Sequence, residues 1–127
     1  MRFLVLIAHG SRREDSNREV RELGERLAAI SRVEVDGVRC GFLELAQPSI
    51  PDAIGECVAA GGREILVLPY FLSAGRHVSE DIPREVNLAS ARYPNARIRV
   101  LDYLGADPAV PELLLGCVRR AQSSPRD

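Results

Sequence analysis

The chain has two histidines, and each one follows an apolar stretch with the character of a buried β-strand. His9 ends the run FLVLIAH, and His77 comes shortly after the run ILVLPYFL, within the segment SAGRHVSEDIP. Imidazole binds divalent cobalt, nickel, iron and zinc, and it also exchanges protons near neutral pH. Residues of this type in two such similar positions indicate a site that binds a metal ion, accepts protons, or does both.

The order of apolar patterns predicts how these histidines are positioned. Strand-like runs alternate with helical patterns, which predicts a parallel sheet with helices on both faces. The strand-like runs cover residues 3–8, 33–43, 65–68 and 98–100, and the helices begin near residues 14, 50, 83 and 107. The first and third runs are continuously apolar, as in central strands, whereas the second and fourth alternate, as in edge strands. We therefore predict one α/β domain over residues 1–127, with about four strands in the flavodoxin-like order 2-1-3-4.

In a sheet of this order, ligands bind beyond the carboxyl ends of the strands, where the winding changes direction. That position lies between the first and third strands, so His9 and His77 are expected to share one crevice. Glu44, just past the second strand, should border the crevice. Two imidazoles and one carboxylate are fewer ligands than a closed structural zinc site uses, so the metal would be loosely held. The alternative is that both are ordinary loop histidines and that Glu44 is solvated or caps a helix.

Local patterns set expectations for the helices. The first should cover residues 14–30, with an inward stripe at Val20, Leu23, Leu27 and Ile30 and a capping box at Ser11-x-x-Glu14 or Ser16-x-x-Glu19. Gly61-Gly62 should end the second helix, and Pro83 suits the first turn of the third. The last helix should run through Leu113, Leu114, Cys117 and Val118, and residues 122–127 are expected to be frayed.

Three arginines lie near predicted helix starts, where a bound anion would be favourable. Pairing with the nearby Glu14, Asp15, Glu80 or Asp81 is the alternative. We favour pairing for Arg13 and leave both possibilities open for Arg12 and Arg76. Ser11 and Ser73 could donate to a ligand, although capping and turn formation are the commoner roles of serine in such positions.

Composition excludes several classes of protein. The chain has 127 residues with a formal net charge of −1, which fits one soluble domain and argues against nucleic acid as a partner. The first apolar run is too short for a membrane span, so no membrane partner is expected. Cys40, Cys57 and Cys117 form no metal-binding pair, and we expect all three to be small core residues. Isolated thiols of this kind suit a reducing compartment, so a cytoplasmic protein is expected. Loops typical of ATP binding, dinucleotide binding or serine hydrolases are missing.

Three motifs in order resemble the sirohydrochlorin metal-chelatase family, in particular its small single-domain cobaltochelatase type. They are HGSR at residues 9–12, Glu44 with QPSI at residues 47–50, and PYFLSAGRH at residues 69–77 followed by DIP at residues 81–83. The resemblance covers most of the chain, up to about residues 105–108. Each motif is short, and their order and spacing together make the resemblance specific.

The resemblance implies an ATP-independent enzyme that inserts cobalt, nickel or iron into sirohydrochlorin, works as a homodimer and has no permanently bound cofactor. His9 and His77 would bind the metal and help to remove protons, with Glu44 as an accessory ligand or proton acceptor. Substrate contacts would come from Arg12 and Arg76 on the carboxylates of the macrocycle, and from Gly10, Ser11, Gly41, Ser73 and Gly75 beside the ring. One alternative is a related metal chelatase that acts on another tetrapyrrole. A second is a non-catalytic carrier of metal or tetrapyrrole that uses the same crevice.

Overall fold

Four parallel strands form one sheet in the order β2-β1-β3-β4 in the computed structural model, which describes residues 1–123. This confirms the predicted α/β class and strand order. The elements are β1 (Arg2–Ala8), α1 (Glu14–Ile30), β2 (Gly37–Phe42), α2 (Ile50–Ala59), β3 (Glu64–Pro69), a π-helical turn (His77–Asp81), α3 (Ile82–Arg92), β4 (Arg97–Val100), a 3₁₀ turn (Leu104–Ala106) and α4 (Val110–Ser123).

Helices cover both faces of the sheet. On one face, Val5 and Ile7 of β1 and Val67 of β3 are fully buried against α2 and α3. On the other face α1 packs on β2, and Gly24 permits the approach because a Cβ there would lie 2.8 Å from the Cys40 sulfur. The central position of β1 follows from its composition, because six of its seven residues are buried apolar side chains.

The start of the second strand differs from the sequence prediction. The second strand was expected from residue 33, but β2 begins at Gly37. Residues 31–35 form a turn in which the backbone N–H groups of Glu34 and Val35 both donate to the carbonyl oxygen of Ser31, and Val33 is exposed. Backbone pairing with β1 begins at Asp36, whose N–H donates to the carbonyl oxygen of Arg2. The apolar pattern predicted a strand at Val33 because apolar character alone does not reveal a turn.

The first helix has the predicted bounds, but its expected capping box is wrong. Arg13 is the N-cap residue and makes no side-chain cap; the Ser11 hydroxyl instead accepts from the Arg13 N–H at 3.0 Å. The inward stripe is only partly correct, because Ile30 is 81% exposed and the fully buried positions of α1 are Asn17 and Gly24.

Helices α2 and α3 begin and end as their signals predict, whereas α4 begins at Val110 and not near residue 107. Ser49 caps α2 by accepting from the Asp52 N–H, and Gly61 follows its end with a φ of 99°. Pro83 lies in the first turn of α3, and Val86 and Ala89 are buried. The expected fraying at residues 122–127 falls mostly outside the described residues, and α4 continues to Ser123.

The apolar residues of α4 are not part of the core. Leu113, Leu114 and Val118 are exposed, as is Cys117. The expectation that all three cysteines are core residues is therefore wrong for Cys117, whereas Cys57 is fully buried and Cys40 half-buried. Within residues 1–123, no helix combines the length and the apolar character needed to cross a bilayer.

Candidate functional site

The two histidines meet at the carboxyl edge of the sheet. His9 directly follows β1, His77 begins the π-helical turn after β3, and these strands are neighbours. The ring centroids are 4.4 Å apart at an interplanar angle of 45°. Both side chains are partly open to solvent, with exposures of 46% for His9 and 41% for His77. The strand order therefore brings two residues 68 positions apart in the sequence into one accessible site, as the sequence predicts.

Glu44 joins this site through His9. Its Oε1 lies 2.7 Å from Nε2 of His9, and its backbone N–H donates to the carbonyl oxygen of His9. The two loops come this close because residue 10 is glycine. Gly10 has a φ of 94°, and a Cβ there would lie 1.7 Å from the carbonyl oxygen of Glu44. Gly10 thus lets the His9 loop pack against the Glu44 segment, which is a role the sequence did not indicate.

Asn17 fixes the loop that follows His9. It is a buried polar side chain of α1, only 3% exposed. Its Oδ1 accepts from the Ser11 N–H at 2.9 Å, and its Nδ2 donates to the Ser11 carbonyl oxygen at 2.8 Å. Buried amides are satisfied in this way when they hold a backbone segment in place. The sequence does not single out Asn17, because an asparagine one turn into a helix looks like a solvent-facing residue.

Asp81 holds His77. The two residues lie four positions apart in the π-helical turn, and Asp81 Oδ2 is 2.7 Å from His77 Nδ1. Asp81 Oδ1 accepts from the guanidinium of Arg84 at 3.0 Å. The hydrogen bond from His77, aided by the charge of Arg84, lowers the pKa of Asp81 below its ordinary value. In the sequence, Asp81 was noted only within the DIP motif and as a possible partner for the arginines.

The two imidazoles are therefore engaged through different nitrogens. Among residues 1–123, Nδ1 of His9 and Nε2 of His77 make no hydrogen bond. These two atoms can act as ligands to a borderline divalent metal ion. No group of three or more His, Cys, Asp or Glu residues in this part of the chain is arranged to hold a metal ion together. The geometry is that of an open site with two nitrogen atoms available as metal ligands.

The arginines near the site are exposed. Arg76 lies 3.6 Å from Glu80 and its side chain is 81% exposed, whereas Arg12 forms no ion pair within the described chain. The expected pairing of Arg13 is wrong, because its carboxylate neighbours have other partners. Glu14 pairs with Arg21 and Asp15 with Arg18. The bond from Arg21, with a second from Asn17, lowers the pKa of Glu14.

The small residues that were expected beside the macrocycle differ in how accessible they are to a ligand. Ser73 and Gly75 are exposed in the loop before His77, and a Cβ on Gly75 would meet nothing within 4 Å, so this loop is open to a ligand. Ser11 uses its hydroxyl and backbone within its own loop. Gly41 does not border the site as expected: it is buried beneath α2, where a Cβ would lie 3.1 Å from Ala53.

Two cavities bear on the location of the site. One of about 260 Å³ lies beside Glu44 and is lined by residues 42–47 and Ser49. A larger one of about 570 Å³ lies at the opposite edge of the sheet, lined in part by Met1, Arg63 and Arg97. The larger cavity contains neither histidine, so volume alone does not identify the site. The site is identified by the convergence of the two imidazole rings.

Solved structures that are similar to this one include chelatases. The sirohydrochlorin chelatase SirB from Bacillus subtilis subspecies spizizenii, solved in complex with cobalt, has a TM-score of 0.82 at 29% identity; the match covers 94% of this chain and 50% of that one. A CbiX protein from Marinobacter aquaeolei has the same fold, with a TM-score of 0.82 at 24% identity over 97% of this chain and 98% of that one.

Residues 3–121 match the model of the CbiX family, and the chain belongs to this family. A sirohydrochlorin cobaltochelatase from Methanothermobacter thermautotrophicus is 32% identical over 93% of this chain and 91% of its own length. Another from Methanococcus maripaludis is 39% identical over 66% of this chain, and the match spans 57% of that relative. A sirohydrochlorin ferrochelatase from Bacillus subtilis is 33% identical over 84% of this chain and 40% of its own length. The resemblance seen in the three motifs is confirmed.

Proposed function

We propose that this protein is an ATP-independent chelatase that inserts a divalent metal ion into sirohydrochlorin and has no permanently bound cofactor. The observation that carries this proposal is the meeting of two imidazole rings, 4.4 Å between centroids, at the carboxyl edge of β1 and β3. Membership of the CbiX family supports the substrate, because relatives are sirohydrochlorin cobaltochelatases and ferrochelatases. The missing phosphate-binding loop supports independence from ATP.

Insertion exchanges two pyrrole N–H protons for one divalent cation. His77 Nε2 and His9 Nδ1 bind the incoming ion, since these are the ring nitrogens that remain unengaged in residues 1–123. As the ion passes to the nitrogens of the macrocycle, each imidazole regains a lone pair that can accept a pyrrole proton. Glu44, bonded to His9, stabilises the imidazolium that forms there. Metal transfer and proton removal thus follow one another on the same side chains.

The proposed metal is Co²⁺, with Ni²⁺ and Fe²⁺ as alternatives. Imidazole nitrogens suit all three ions, and relatives include both cobaltochelatases and ferrochelatases. Cobalt is favoured because the relatives matched over more than nine-tenths of both chains are cobaltochelatases. The metal is a substrate in this reaction.

The carboxylate rim of the macrocycle would be bound by Arg12 and Arg76. Both arginines are exposed, and in the chain Arg76 directly precedes His77 while Arg12 lies in the loop after His9. The pair between Arg76 and Glu80 is an exposed one of the kind that contributes little stability. Arg76 can therefore exchange Glu80 for a substrate carboxylate at small cost. Gly75, Ser73, Ser11 and Gly10 would lie along the ring, with Gly75 offering the open space.

We also propose a homodimer that works in the cytoplasm. Exposed leucines of α4 and the half-buried Leu66 and Leu68 of β3 form apolar surface that a second copy would cover. A two-fold dimer would also enclose more of a broad tetrapyrrole than one small domain can. The unpaired cysteines suit a reducing compartment.

The test is an optical assay without ATP. The protein is mixed with Co²⁺ and a large excess of sirohydrochlorin, and the absorbance change is compared with a control that lacks protein. Conversion of many equivalents of substrate per chain is expected. A spectral shift limited to one equivalent would show a carrier of metal or tetrapyrrole and would contradict catalysis. The same assay with Ni²⁺, and with Fe²⁺ under anaerobic conditions, ranks the metals.

A further inference from the structure

We propose that Asp81 is a positioning residue that sets the tautomer of His77 and so presents Nε2 as the metal-binding nitrogen. This inference rests on the proposed function, because it assigns a role within the same site. Asp81 lies 2.7 Å from Nδ1 of His77 and does not itself contact the other histidine. It acts on the reaction through His77 alone.

The hydrogen bond dictates where the proton lies on a neutral imidazole. A carboxylate can only accept, so Nδ1 of His77 must carry the hydrogen. The lone pair is then on Nε2, which has no hydrogen-bond partner within residues 1–123. Outer carboxylates orient metal-binding histidines in this way in many proteins, and their loss typically lowers metal affinity or activity by about 10–100-fold.

The local structure holds Asp81 in place for this role. The π-helical turn brings residues four apart into contact, so that the carboxylate faces the imidazole ring. Its second oxygen is occupied by Arg84 at 3.0 Å, and the side chain is only 22% exposed. Each oxygen of Asp81 therefore accepts from one donor, and rotation of the carboxylate would break these charge-assisted hydrogen bonds.

This double engagement makes Asp81→Asn an informative variant. Asparagine has nearly the same shape, but it offers one acceptor oxygen instead of two. We expect the amide oxygen to keep facing the donor-only guanidinium of Arg84, as the carboxylate does in the wild-type protein, which places the amide N–H₂ opposite Nδ1 of His77. The amide would donate to Nδ1 and force the hydrogen onto Nε2. The variant keeps the packing and inverts the tautomer.

The experiment measures the tautomer directly. Because the chain contains two histidines, a long-range ¹H–¹⁵N NMR spectrum at about pH 8 shows two imidazoles, and His9→Gln identifies the signals of His77. We expect the Nδ1–H form in the wild-type protein and the Nε2–H form in both Asp81→Asn and Asp81→Ala. Co²⁺ titration should then show about 10–100-fold weaker binding in both variants.

Glu80→Ala is the matched control, because Glu80 is a carboxylate in the same turn that contacts no histidine. It should keep the wild-type tautomer and Co²⁺ affinity. The inference is overturned if Asp81→Asn and Asp81→Ala retain both the Nδ1–H form and wild-type Co²⁺ affinity. That result would leave the chelatase proposal standing, whereas wild-type insertion by His9→Ala and His77→Ala would overturn the proposed function itself.

Discussion

His9 and His77 share a site but are held by different carboxylates through different ring nitrogens. Glu44 bonds to Nε2 of His9, and Asp81 bonds to Nδ1 of His77. Both carboxylates can stabilise an imidazolium, so in the proposed reaction either ring would hold a proton after the metal has left. The pair is therefore equipped for two successive tasks, first as ligands and then as bases.

Removal of either imidazole should stop insertion without unfolding the protein. We expect His9→Ala and His77→Ala each to lower the insertion rate by at least about 100-fold, the scale typical of lost acid–base catalysis. Because both side chains are partly exposed, unfolding in urea should shift by less than about 1.5 kcal/mol. The optical assay and urea titration are run side by side on each variant. A large stability loss would make the rate uninformative, and insertion at the normal rate would refute the assigned roles.

Arg76 should affect binding of the macrocycle more than turnover. Arg76→Ala removes one charge opposite a substrate carboxylate, and an exposed pair of this kind is worth up to about 1 kcal/mol, or roughly a fivefold rise in KM. Initial rates over a range of sirohydrochlorin concentrations separate KM from kcat. Arg18→Ala is the control, since Arg18 forms an exposed ion pair on α1. Equal KM values in the two variants would remove Arg76 from the substrate site.

The sequence predicted the side chains that meet at the carboxyl edge of the sheet but not those that hold them. His9, His77 and Glu44 could be predicted because each follows a strand whose end is visible in the apolar pattern. Asp81 could not, because its contact with His77 depends on a π-helical turn that has no clear sequence signal. Asn17 was missed for a related reason: burial of a polar residue depends on the loop that folds over it.

At the level of elements, α1 supports the site by holding the loop after β1. Asn17→Ala removes both bonds to the Ser11 backbone and leaves partly buried polar groups unpaired, which should cost about 1–3 kcal/mol of unfolding free energy. Urea unfolding followed by circular dichroism measures the loss. Asn87→Ala is the matched control, because Asn87 is an exposed asparagine of α3. Equal stability of the two variants would show that the loop does not depend on Asn17.

Helix α2 contains a thiol that should make stability depend on alkaline pH. Burial raises the pKa of the Cys57 thiol to about 11 from an ordinary value of 9.0. Above pH 9 the unfolded chain therefore releases this proton while the folded chain retains it, and folding loses free energy as the pH rises. The contribution is fully present below pH 9.

Urea unfolding of the wild-type protein and Cys57→Ala at pH 8, 9 and 10 tests this expectation. The unfolding free energy of the wild-type protein should fall more steeply between pH 9 and 10 than that of the variant. Parallel pH profiles would show that Cys57 does not titrate differently in the two states.

Element boundaries were predictable where a local signal is decisive. Pro83 and Gly61 mark a helix start and a helix end in both sequence and structure. The start of β2 was placed too early because apolar character alone does not distinguish a strand from a turn closed by backbone bonds to Ser31. The capping boxes failed because the Ser11 hydroxyl accepts from the Arg13 N–H and because Ser16 lies within α1.

At the level of the whole molecule, the strand order could be predicted from sequence and the environment of α4 could not. Continuous apolar runs identify β1 and β3 as central because such runs must be covered on both faces. The stripe in α4 indicates an apolar face, but it does not say which surface covers that face. The structure shows that in a single chain it stays exposed.

This exposure yields a test of the proposed homodimer. Leu114 is 61% exposed, so Leu114→Arg should leave the single chain folded while placing a charge in the interface. Sedimentation velocity should show a dimer for the wild-type protein and a monomer for the variant. Glu112→Gln changes the net charge by the same amount on the same helix and should remain dimeric. If Leu114→Arg also sediments as a dimer, the α4 surface is not the interface. If the wild-type protein is a monomer at micromolar concentration, the homodimer itself is refuted, and one domain must bind the tetrapyrrole alone.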